Sequence, residues 1–428
     1  MAAKWVLLQA APSVNAQDFT LKQIGLELRS QEIPFAICNV LDKQGNDRLP
    51  KTVFDEIASF MPTHIIWNGA LTWRYWDVIK KFTAAKKIAL FFDDPFTPSE
   101  RLGVVPAIQE GALAGVSIYC WDTYWSAEML HNWGIAPQQI NLAALSNEYY
   151  KADYTLTDDL VFIGNLHSNL ELSRSAEALP KIFADCYKEA LGVIKTRISL
   201  PCASKMIREI VDSWADGKKR LWQDLIKRNG SHLHSLKWNV WAKSKNEVRE
   251  RMLRTVVRKG LPLRIFCETK QLHHMGVDEY RYVIGDFDHK VKLHDSSMYP
   301  SHELGQLYHY GKLHLQATDP QSMWTGIPYR AFQCAASARP LLTDIKPEWN
   351  TAFEYETEII PYSDGGFEEK LEEVISRPID YFRDIGENAY RKFNLSHTWK
   401  HRLSQFTQED KTYNAPDPFQ DLITKGIL

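Results

Sequence analysis

The chain has 428 residues and a formal net charge of −2. Hydrophobic residues make up 44% of it and charged residues 24%, a balance that is typical of globular proteins and excludes a disordered or fibrous chain. The near-neutral total excludes a chain that is basic throughout, as a general nucleic-acid-binding protein would be. Because one hydrophobic core rarely serves so long a chain, we expect two domains.

Cysteine placement and hydropathy indicate a reducing, aqueous compartment. None of the six cysteines belongs to a C-x-x-C pair, which argues against a zinc site. No run of about 18 apolar residues exists, so no transmembrane helix is predicted. The apolar stretch near the N-terminus is short and broken by Gln9, which favours a first β-strand over a signal peptide. We therefore expect a cytoplasmic protein.

The first third of the chain alternates apolar runs with segments of helical periodicity, a pattern typical of βαβ units around a parallel sheet. The predicted strands are Trp5–Gln9, Phe35–Val40, His64–Trp67, Lys87–Phe92, Val116–Cys120 and Gln139–Leu142. The predicted helices include Phe19–Ser30, Lys51–Phe60 and Trp73–Thr83. Right-handed crossovers then predict a doubly wound sheet whose functional loops follow the carboxyl ends of the strands.

A second set of strands begins at Leu160–Asn165 and resumes after a long helical stretch. The later predicted strands are Leu263–Cys267, Tyr282–Ile284, Val291–Leu293, Lys312–Gln316, Pro340–Thr343 and Glu358–Pro361, with helices at His302–Tyr308, Pro328–Ala336 and Gly366–Ile375. We predict an α/β protein with Rossmann-like domains at 1–150 and 151–400 and a tail at 401–428 that packs back on the first domain. A cleft between two such domains is a favoured place for a ligand.

The most specific pattern is a strand, a glycine-containing loop and a helix between Lys312 and Asp344. Gly326 lies in the loop, so backbone N–H groups and the dipole at the start of the helix are available to a diphosphate. Arg330, in the first turn of that helix, can add a bidentate phosphate contact.

This region resembles the donor-binding domain of GT-B glycosyltransferases of the CgeB-like, spore-protein type. Members read strand, "G-x-x-x-R-x-F-E", small residues and "L-x-T-D", and the corresponding residues here run from Gly326 to Asp344. Further resemblances occur in order along nearly the whole chain, at 92–96, 119–134, 162–166, 386–390 and 397–402. The resemblance implies two Rossmann-like domains facing across a cleft. It also implies transfer of a sugar from a UDP- or GDP-linked donor to an acceptor hydroxyl, with no metal or other cofactor.

Two positions depart from the family pattern. Gln333 stands where the resemblance places a glutamate that holds the ribose hydroxyls of the donor, and Thr325 stands where a second glutamate lies eight residues earlier. A glutamine can still hydrogen-bond a hydroxyl, with one acceptor oxygen and two donor hydrogens. The departure keeps open an inactive sugar-nucleotide-binding scaffold, and a sugar-nucleotide epimerase is a further alternative.

Four other residues are candidate donor contacts: Gly164, Asn165, His294 and Lys312. Gly164 and Asn165 follow a predicted strand, where a glycine permits close approach of phosphates. A plain turn explains these two residues equally well. His294 is placed near a nucleobase pocket and Lys312 near the diphosphate charge, the alternatives being a structural histidine and an ordinary surface lysine.

The catalytic candidates are Asp93 and Asp94, at the carboxyl end of a predicted central strand. One of them can serve as the base on the acceptor side if the enzyme inverts. The alternative is an aspartate that caps a helix beside a turn containing Pro95.

Residues 201–260 form a helical basic insertion with 15 Lys and Arg against 6 Asp and Glu. Its cations are interleaved with tryptophans, which fits an anionic acceptor such as nucleic acid, a phospholipid surface or an acidic polymer. The candidate acceptor contacts are Trp222, Lys218, Lys219 and Arg220. On this interpretation, DNA with hydroxymethylated bases is an alternative acceptor. The other interpretation is a solvated helical face whose tryptophans pack inward.

Overall fold

The computed structural model describes residues 3–10, 16–92, 94–145, 156–164, 166, 169–197, 200–228, 230–267, 290–295, 304–319, 325–363 and 365–407. The chain divides into two compact units. The first comprises Met1–Leu145, Thr325–Ile327 and His397–Leu428, and the second comprises Ser146–Trp324 and Pro328–Ser396. Within the described residues, none of the helices has the length and hydrophobicity of a transmembrane segment.

The first unit is built on a six-stranded parallel sheet in the order β2-β1-β3-β4-β5-β6. Its strands are β1 Trp5–Gln9, β2 Phe35–Asn39, β3 His64–Asn68, β4 Lys86–Phe91, β5 Ser117–Cys120 and β6 Gln138–Gln139. Apolar strands such as β4 are buried towards their carboxyl ends, as expected where helices cover both faces. In this flavodoxin-like order the strand sequence reverses direction between β1 and β3, and such switch points are where open α/β sheets bind ligands.

The helices of the first unit are α1 Ala16–Ser30, α2 Pro50–Phe60, α3 Trp76–Ile79, α4 Phe96–Leu102, α5 Val105–Leu113 and α6 Thr123–Trp133, with a 3-10 helix at Leu71–Tyr75. The last described helix of the chain, Trp399–Thr407, also packs in this unit. The indole Nε1 of Trp399 donates to Gln23 Oε1 at 2.8 Å, and buried Arg402 donates to the carbonyls of Asn141 and Leu142 at 2.6 and 2.9 Å.

The second unit holds another six-stranded parallel sheet, in the order β12-β11-β10-β7-β8-β9. Its strands are β7 Leu160–Ile163, β8 Leu263–Cys267, β9 Val291–Asp295, β10 Leu313–Gln316, β11 Leu341–Asp344 and β12 Ile360–Tyr362. Counted from β7, this is the Rossmann order, and its switch point lies between β7 and β10. The predicted α/β fold with two doubly wound sheets is therefore confirmed.

The helices of the second unit are α7 Asn169–Glu177, α8 Lys181–Thr196, α9 Ala203–Asp212, α10 Asp216–Arg228, α11 Ser231–Arg258, α12 Tyr329–Ala336, α13 Phe367–Ile375 and α14 Ile379–Ser396, with 3-10 helices at Leu304–His309 and Trp349–Thr351. Helices α8 to α11 enclose a hydrophobic cluster of their own, which includes Phe183, Trp214 and Trp222. The predicted basic insertion is therefore a helical layer with an apolar interior.

Some predicted elements differ in detail. The predicted helix Trp73–Thr83 is a 3-10 helix, in which the N–H of Trp76 donates to the carbonyl of Trp73, followed by the short α3. Beyond α3, Lys81 and Phe82 again donate to the carbonyls three residues before them, so the α-helix ends early. The predicted helix His302–Tyr308 is the 3-10 helix Leu304–His309. The predicted strand Tyr282–Ile284 lies outside the described residues.

Candidate functional site

The candidate donor site lies at the carboxyl edge of the second sheet, beside the β7–β10 switch point. Gly164 follows β7, and its N–H donates to the carbonyl of Phe266 at 2.9 Å. A Cβ atom at position 164 would lie 3.0 Å from the Phe162 ring and 3.6 Å from Nη1 of Arg249. The absence of a side chain at Gly164 therefore lets the Phe162 ring pack against the backbone there, with the Arg249 guanidinium nearby and 5.8 Å from the centre of that ring.

Helix α11 supplies further groups to the same edge. Asp319 follows β10 and accepts a hydrogen bond from Nε1 of Trp241 at 2.7 Å, while Nζ of Lys245 lies 3.9 Å from its carboxylate. Trp241, Lys245 and Arg249 are spaced four residues apart, so they share one face of α11. Lys245 and Arg249 were included among the cations of the basic insertion in the sequence analysis. Their four-residue spacing was the available signal that they share a helix face, and Gly164 at the end of a strand was the signal for the edge of the sheet that they meet.

The ends of β10 and β11 are tied together by a buried carboxylate. Oδ1 of Asp344 accepts hydrogen bonds from the backbone N–H and the hydroxyl of Thr318, both at 2.8 Å. Nζ of Lys346 lies 3.1 Å from the other oxygen. These bonds fix the backbone at the carboxyl end of β10, so that Asp319 and its partners on α11 have a defined position.

A second group of polar side chains lies between α12 and the 3-10 helix Leu304–His309. The hydroxyl of Tyr308 donates to Oε1 of Gln333, and Nη1 of Arg330 donates to the same hydroxyl oxygen at 3.3 Å. The Tyr308 ring stacks on His314 with centroids 5.5 Å apart. Burial, and then the charges of Arg339 and Arg330, lower the pKa of His314 to about 3. The structure thus brings Arg330 and Gln333 together through Tyr308, a residue that sequence reasoning did not single out.

Gly326 is placed differently from its predicted role. Its N–H and that of Thr325 each donate to Oδ2 of Asp122 at 2.9 Å, and the Thr325 hydroxyl donates to Oδ1 at 2.9 Å. A Cβ atom at Gly326 would lie 2.8 Å from the carbonyl oxygen of Trp121, so the close approach requires a glycine. The N–H expected to face a diphosphate is therefore directed to a carboxylate of the first unit.

Asp122 itself was missed by sequence reasoning, although its position before α6 is that of an N-cap. Its Oδ1 also accepts from the backbone N–H of Trp125 at 3.2 Å, so four donors converge on one buried carboxyl group. Burial raises the pKa of Asp122, and the donors act in the opposite direction. The carboxyl group anchors residues 325–326, and this anchoring is the physical reason for the different placement of Gly326.

Lys312 does not join the donor candidates. It immediately precedes β10 and so lies at the amino edge of the sheet, where Nζ is 3.5 Å from Asp158 and 5.6 Å from the centre of the Phe382 ring. His294, near the carboxyl end of β9, stacks on Phe266 with centroids 4.7 Å apart, and burial lowers its pKa. Because β8 separates β9 from β7, His294 lies beyond the switch point.

Of the catalytic candidates, Asp94 has the arrangement expected of a helix cap. Oδ1 accepts hydrogen bonds from the backbone N–H of Phe96 at 2.9 Å and of Thr97 at 3.4 Å, and Oδ2 accepts from the Thr97 hydroxyl at 2.6 Å. Both oxygens are therefore engaged at the start of α4. Asp93 and the donor candidate Asn165 lie outside the described residues.

The acceptor candidates in the basic insertion separate into buried and exposed residues. Trp222 is 5% exposed and packs against Phe183 and Trp214, with centroids 4.6 and 5.5 Å apart. Nζ of Lys218 lies 3.2 Å from Glu189 and 3.5 Å from the centre of the Trp214 ring. Trp222 therefore packs inward and is unavailable to an acceptor, whereas Lys219 is half-buried and Arg220 exposed.

Comparison with known proteins agrees with this architecture. Residues 247–408 match the model of a family described as glycosyl transferase-like. No curated protein matches the chain by sequence. Sucrose-phosphate synthase from Thermosynechococcus elongatus aligns over 99% of this chain and 100% of its own, with a TM-score of 0.54 and 8% identity.

Two further solved structures are similar. A glycosyltransferase from Rickettsia africae aligns over 95% of this chain and 98% of its own, with a TM-score of 0.51 and 10% identity. HepE from Anabaena, solved with UDP and glucose, aligns over 95% of this chain and 99% of its own, with a TM-score of 0.51 and 9% identity. The chain therefore has the two-domain α/β fold of the GT-B glycosyltransferases. The family match covers Arg249, Arg330 and Gln333.

Proposed function

We propose that this protein transfers a sugar from a nucleoside diphosphate sugar to an acceptor hydroxyl, with the donor bound at the carboxyl edge of the second sheet. One observation carries the proposal: the guanidinium of Arg249 lies beside Gly164 at the switch point of a sheet with Rossmann strand order. A switch point with an adjacent cation suits a diphosphate, because strand ends at such points bind ligands and the guanidinium compensates the negative charge. The match of residues 247–408 to a glycosyl transferase-like family supports the same function.

Sugar transfer from a nucleoside diphosphate sugar requires that the protein stabilise the leaving diphosphate. The bond between the anomeric carbon and the diphosphate oxygen breaks, and the diphosphate leaves with the electron pair. A bond to the acceptor oxygen forms as its proton passes to a base. Arg249 and Arg330 are proposed to stabilise the negative charge on the diphosphate. Asp93 stays the candidate base, because both oxygens of Asp94 are used in capping.

The proposal extends to the donor nucleotide, the family type and the metal requirement. UDP is the first donor nucleotide to test, because HepE was solved with UDP and glucose and shares the fold. Membership of the CgeB-like type is proposed on the resemblance around Arg330. Activity without a metal is also proposed, and turnover that persists in excess EDTA is the expected result.

Titration calorimetry with UDP-glucose and a set of other UDP- and GDP-sugars tests the donor site. We expect Arg249→Ala and Arg330→Ala each to weaken donor binding by about tenfold or more, because a charge-assisted hydrogen bond is lost. Lys312→Ala is the matched control: it removes a cation of the same unit from the opposite edge, and donor affinity should stay within about twofold. Unchanged affinity in Arg249→Ala would remove that residue from the site.

Product analysis separates the proposed activity from its alternatives. A transferase releases nucleoside diphosphate as donor is consumed, whereas an epimerase converts one nucleotide sugar into another and releases none. A scaffold binds the nucleotide sugar without consuming it.

A further inference from the structure

The carboxyl edge of the first sheet carries three carboxamides at the ends of three neighbouring strands. Asn39 ends β2, Gln9 ends β1 and Asn68 ends β3. Gln9 and Asn39 are in register, and Leu8 is in register with the residue before Asn68. Since the switch point of this sheet lies between β1 and β3, Gln9 and Asn68 flank the position where such sheets bind ligands.

The side-chain amide of Gln9 has a fixed orientation, and its carbonyl oxygen lacks a hydrogen-bond donor among the described residues. Nε2 donates to Oδ1 of Asn39 at 2.8 Å, so the carbonyl oxygen Oε1 is the other end of the group. Gln9 is 4% exposed, and within the described part of the chain Oε1 is buried without a donor. A buried carbonyl that loses its hydrogen bond to water destabilises the protein unless another donor replaces it. Oε1 therefore calls for an O–H or N–H group.

An indole group at the same edge has the complementary requirement. Trp121, which follows β5, has an Nε1 atom that is buried and without an acceptor among the described residues. The Trp121 ring lies 5.2 Å from that of Phe92, which follows β4. This edge thus combines an amide acceptor with an indole donor and aromatic rings.

These requirements discriminate between classes of acceptor. A hydroxyl donates one hydrogen bond and accepts others, whereas phosphate and carboxylate oxygens only accept and cannot satisfy Gln9. The guanidinium of Arg48 donates to the Asn39 carbonyl at 2.6 Å, and its charge is compensated by Glu56 at 2.7 Å. The charge near the amide row is therefore balanced, which does not favour an anionic polymer.

Resting on the proposed function, we propose that the acceptor is a neutral, polyhydroxylated molecule, a saccharide or polyol, which binds at the β1–β3 switch point and donates a hydroxyl hydrogen bond to Oε1 of Gln9. Gln9 is a specificity-determining contact for the acceptor and takes no part in binding the donor. Its substitution should therefore change acceptor use while leaving donor use unaltered.

The test uses the full chain and the nucleotide sugar that calorimetry finds to bind most tightly. Nucleoside diphosphate release is measured with water alone, with maltose, sucrose or glycerol, and with a short duplex DNA that contains hydroxymethylated bases. We expect transfer to at least one neutral probe and none to DNA. Gln9→Met, which keeps the length but removes the amide, should raise the acceptor KM by about tenfold or more. Its donor affinity and its hydrolysis with water alone should stay within about twofold.

Asn39→Asp guards against a folding defect in Gln9→Met, which a thermal melt would reveal. A carboxylate at position 39 still accepts from Nε2 of Gln9 and keeps Oε1 in its orientation, so Asn39→Asp should keep the KM for the neutral probe within about threefold. Gln31→Met is the control, since Gln31 is a carboxamide that hydrogen-bonds Glu27. It should change neither the acceptor KM nor the donor affinity.

The outcomes separate the two proposals. Donor hydrolysis without transfer to any neutral probe, transfer to DNA, or an unchanged KM in a folded Gln9→Met each overturns the neutral-acceptor inference and leaves the transferase standing. A failure to bind or consume any nucleotide sugar overturns the proposed function, and the inference with it.

Discussion

The two sheets carry different side chains at their carboxyl edges, neutral amides in the first unit and cations in the second. The edge of the first sheet carries Asn39 and Gln9, neutral amides joined by a hydrogen bond. The edge of the second carries Arg249 and Lys245, which α11 delivers beside Gly164 and Asp319. Both sheets are parallel and six-stranded, so topology alone does not distinguish them. The side chains at the two edges do, and from them we propose a hydroxylated ligand in one unit and a phosphorylated ligand in the other.

The substitution with the largest expected effect tests whether the acceptor binds to the basic insertion of the second unit and not to the first unit. Trp222→Ala should lower the free energy of unfolding by about 3–5 kcal/mol in urea denaturation, because it empties part of a buried aromatic cluster. The acceptor KM of the folded fraction should not change. Lys219→Ala and Arg220→Ala are the surface controls, expected to stay within about 0.5 kcal/mol. A stable Trp222→Ala variant that loses acceptor binding would move the acceptor site to the insertion.

Asp122→Ala should have the next largest effect, on the loop that was predicted to bind the donor. The substitution leaves buried donors of Thr325, Gly326 and Trp125 without their acceptor, so we expect a loss of about 2–4 kcal/mol in unfolding free energy. Asp122→Asn keeps one acceptor oxygen and should lose less. Equal stability of wild type and Asp122→Ala in urea would show that this carboxylate does not anchor the loop.

The pH dependence of stability tests the polar group beneath α12. His314 has an ordinary pKa of 6.5 and a folded-state pKa of about 3, because it is buried near Arg339 and Arg330. The unfolded chain therefore binds a proton that the folded chain does not, and stability present above pH 6.5 falls as the pH drops towards 3. The slope from this group is at most about 1.4 kcal/mol per pH unit.

His314→Gln is the variant that isolates this contribution. In urea unfolding at several pH values below 6.5, the variant should lose less stability per pH unit than the wild type. Identical slopes would contradict a neutral, buried His314.

The smallest expected effect concerns Gln333, where the family pattern has a glutamate. Gln333→Glu should tighten donor binding by about fivefold, since a carboxylate binds a hydroxyl more strongly than an amide does. The Tyr308 hydroxyl, which now donates to Gln333, can still donate to the new side chain. Calorimetry with the same nucleotide sugar measures the change. Weaker binding in the variant would place Gln333 in a purely structural role.

The sequence predicted most of the framework because parallel strands buried on both faces leave continuous apolar runs. The ends of β1 and β8 agree with prediction to the residue. The motif around Arg330 lies within the family match, and it was recognisable because Gly326, Arg330 and the small residues that follow are close together in the chain. Local pattern was enough wherever the deciding contacts are close in the chain.

The site was less predictable because its contacts join distant segments. Asp122 meets Gly326 across 204 positions, and Trp241 meets Asp319 across 78. The hydrophobic periodicity of one segment does not reveal a contact with a residue so far away in the chain. Gln9 shows the same limit: it was noted only as a polar break in an apolar run, and its importance follows from lying beside Asn39 at a strand end.

The packing of Trp399 and Arg402 into the first unit has a consequence for protein synthesis. Gln23 and the carbonyls of Asn141 and Leu142 gain these partners only when the helix Trp399–Thr407 has emerged from the ribosome. All the residues of the second unit have been made by then, because that unit ends at Ser396. Domains usually complete their folding in the order of translation, N-terminal first. Here the unit that begins the chain is the one that is finished last.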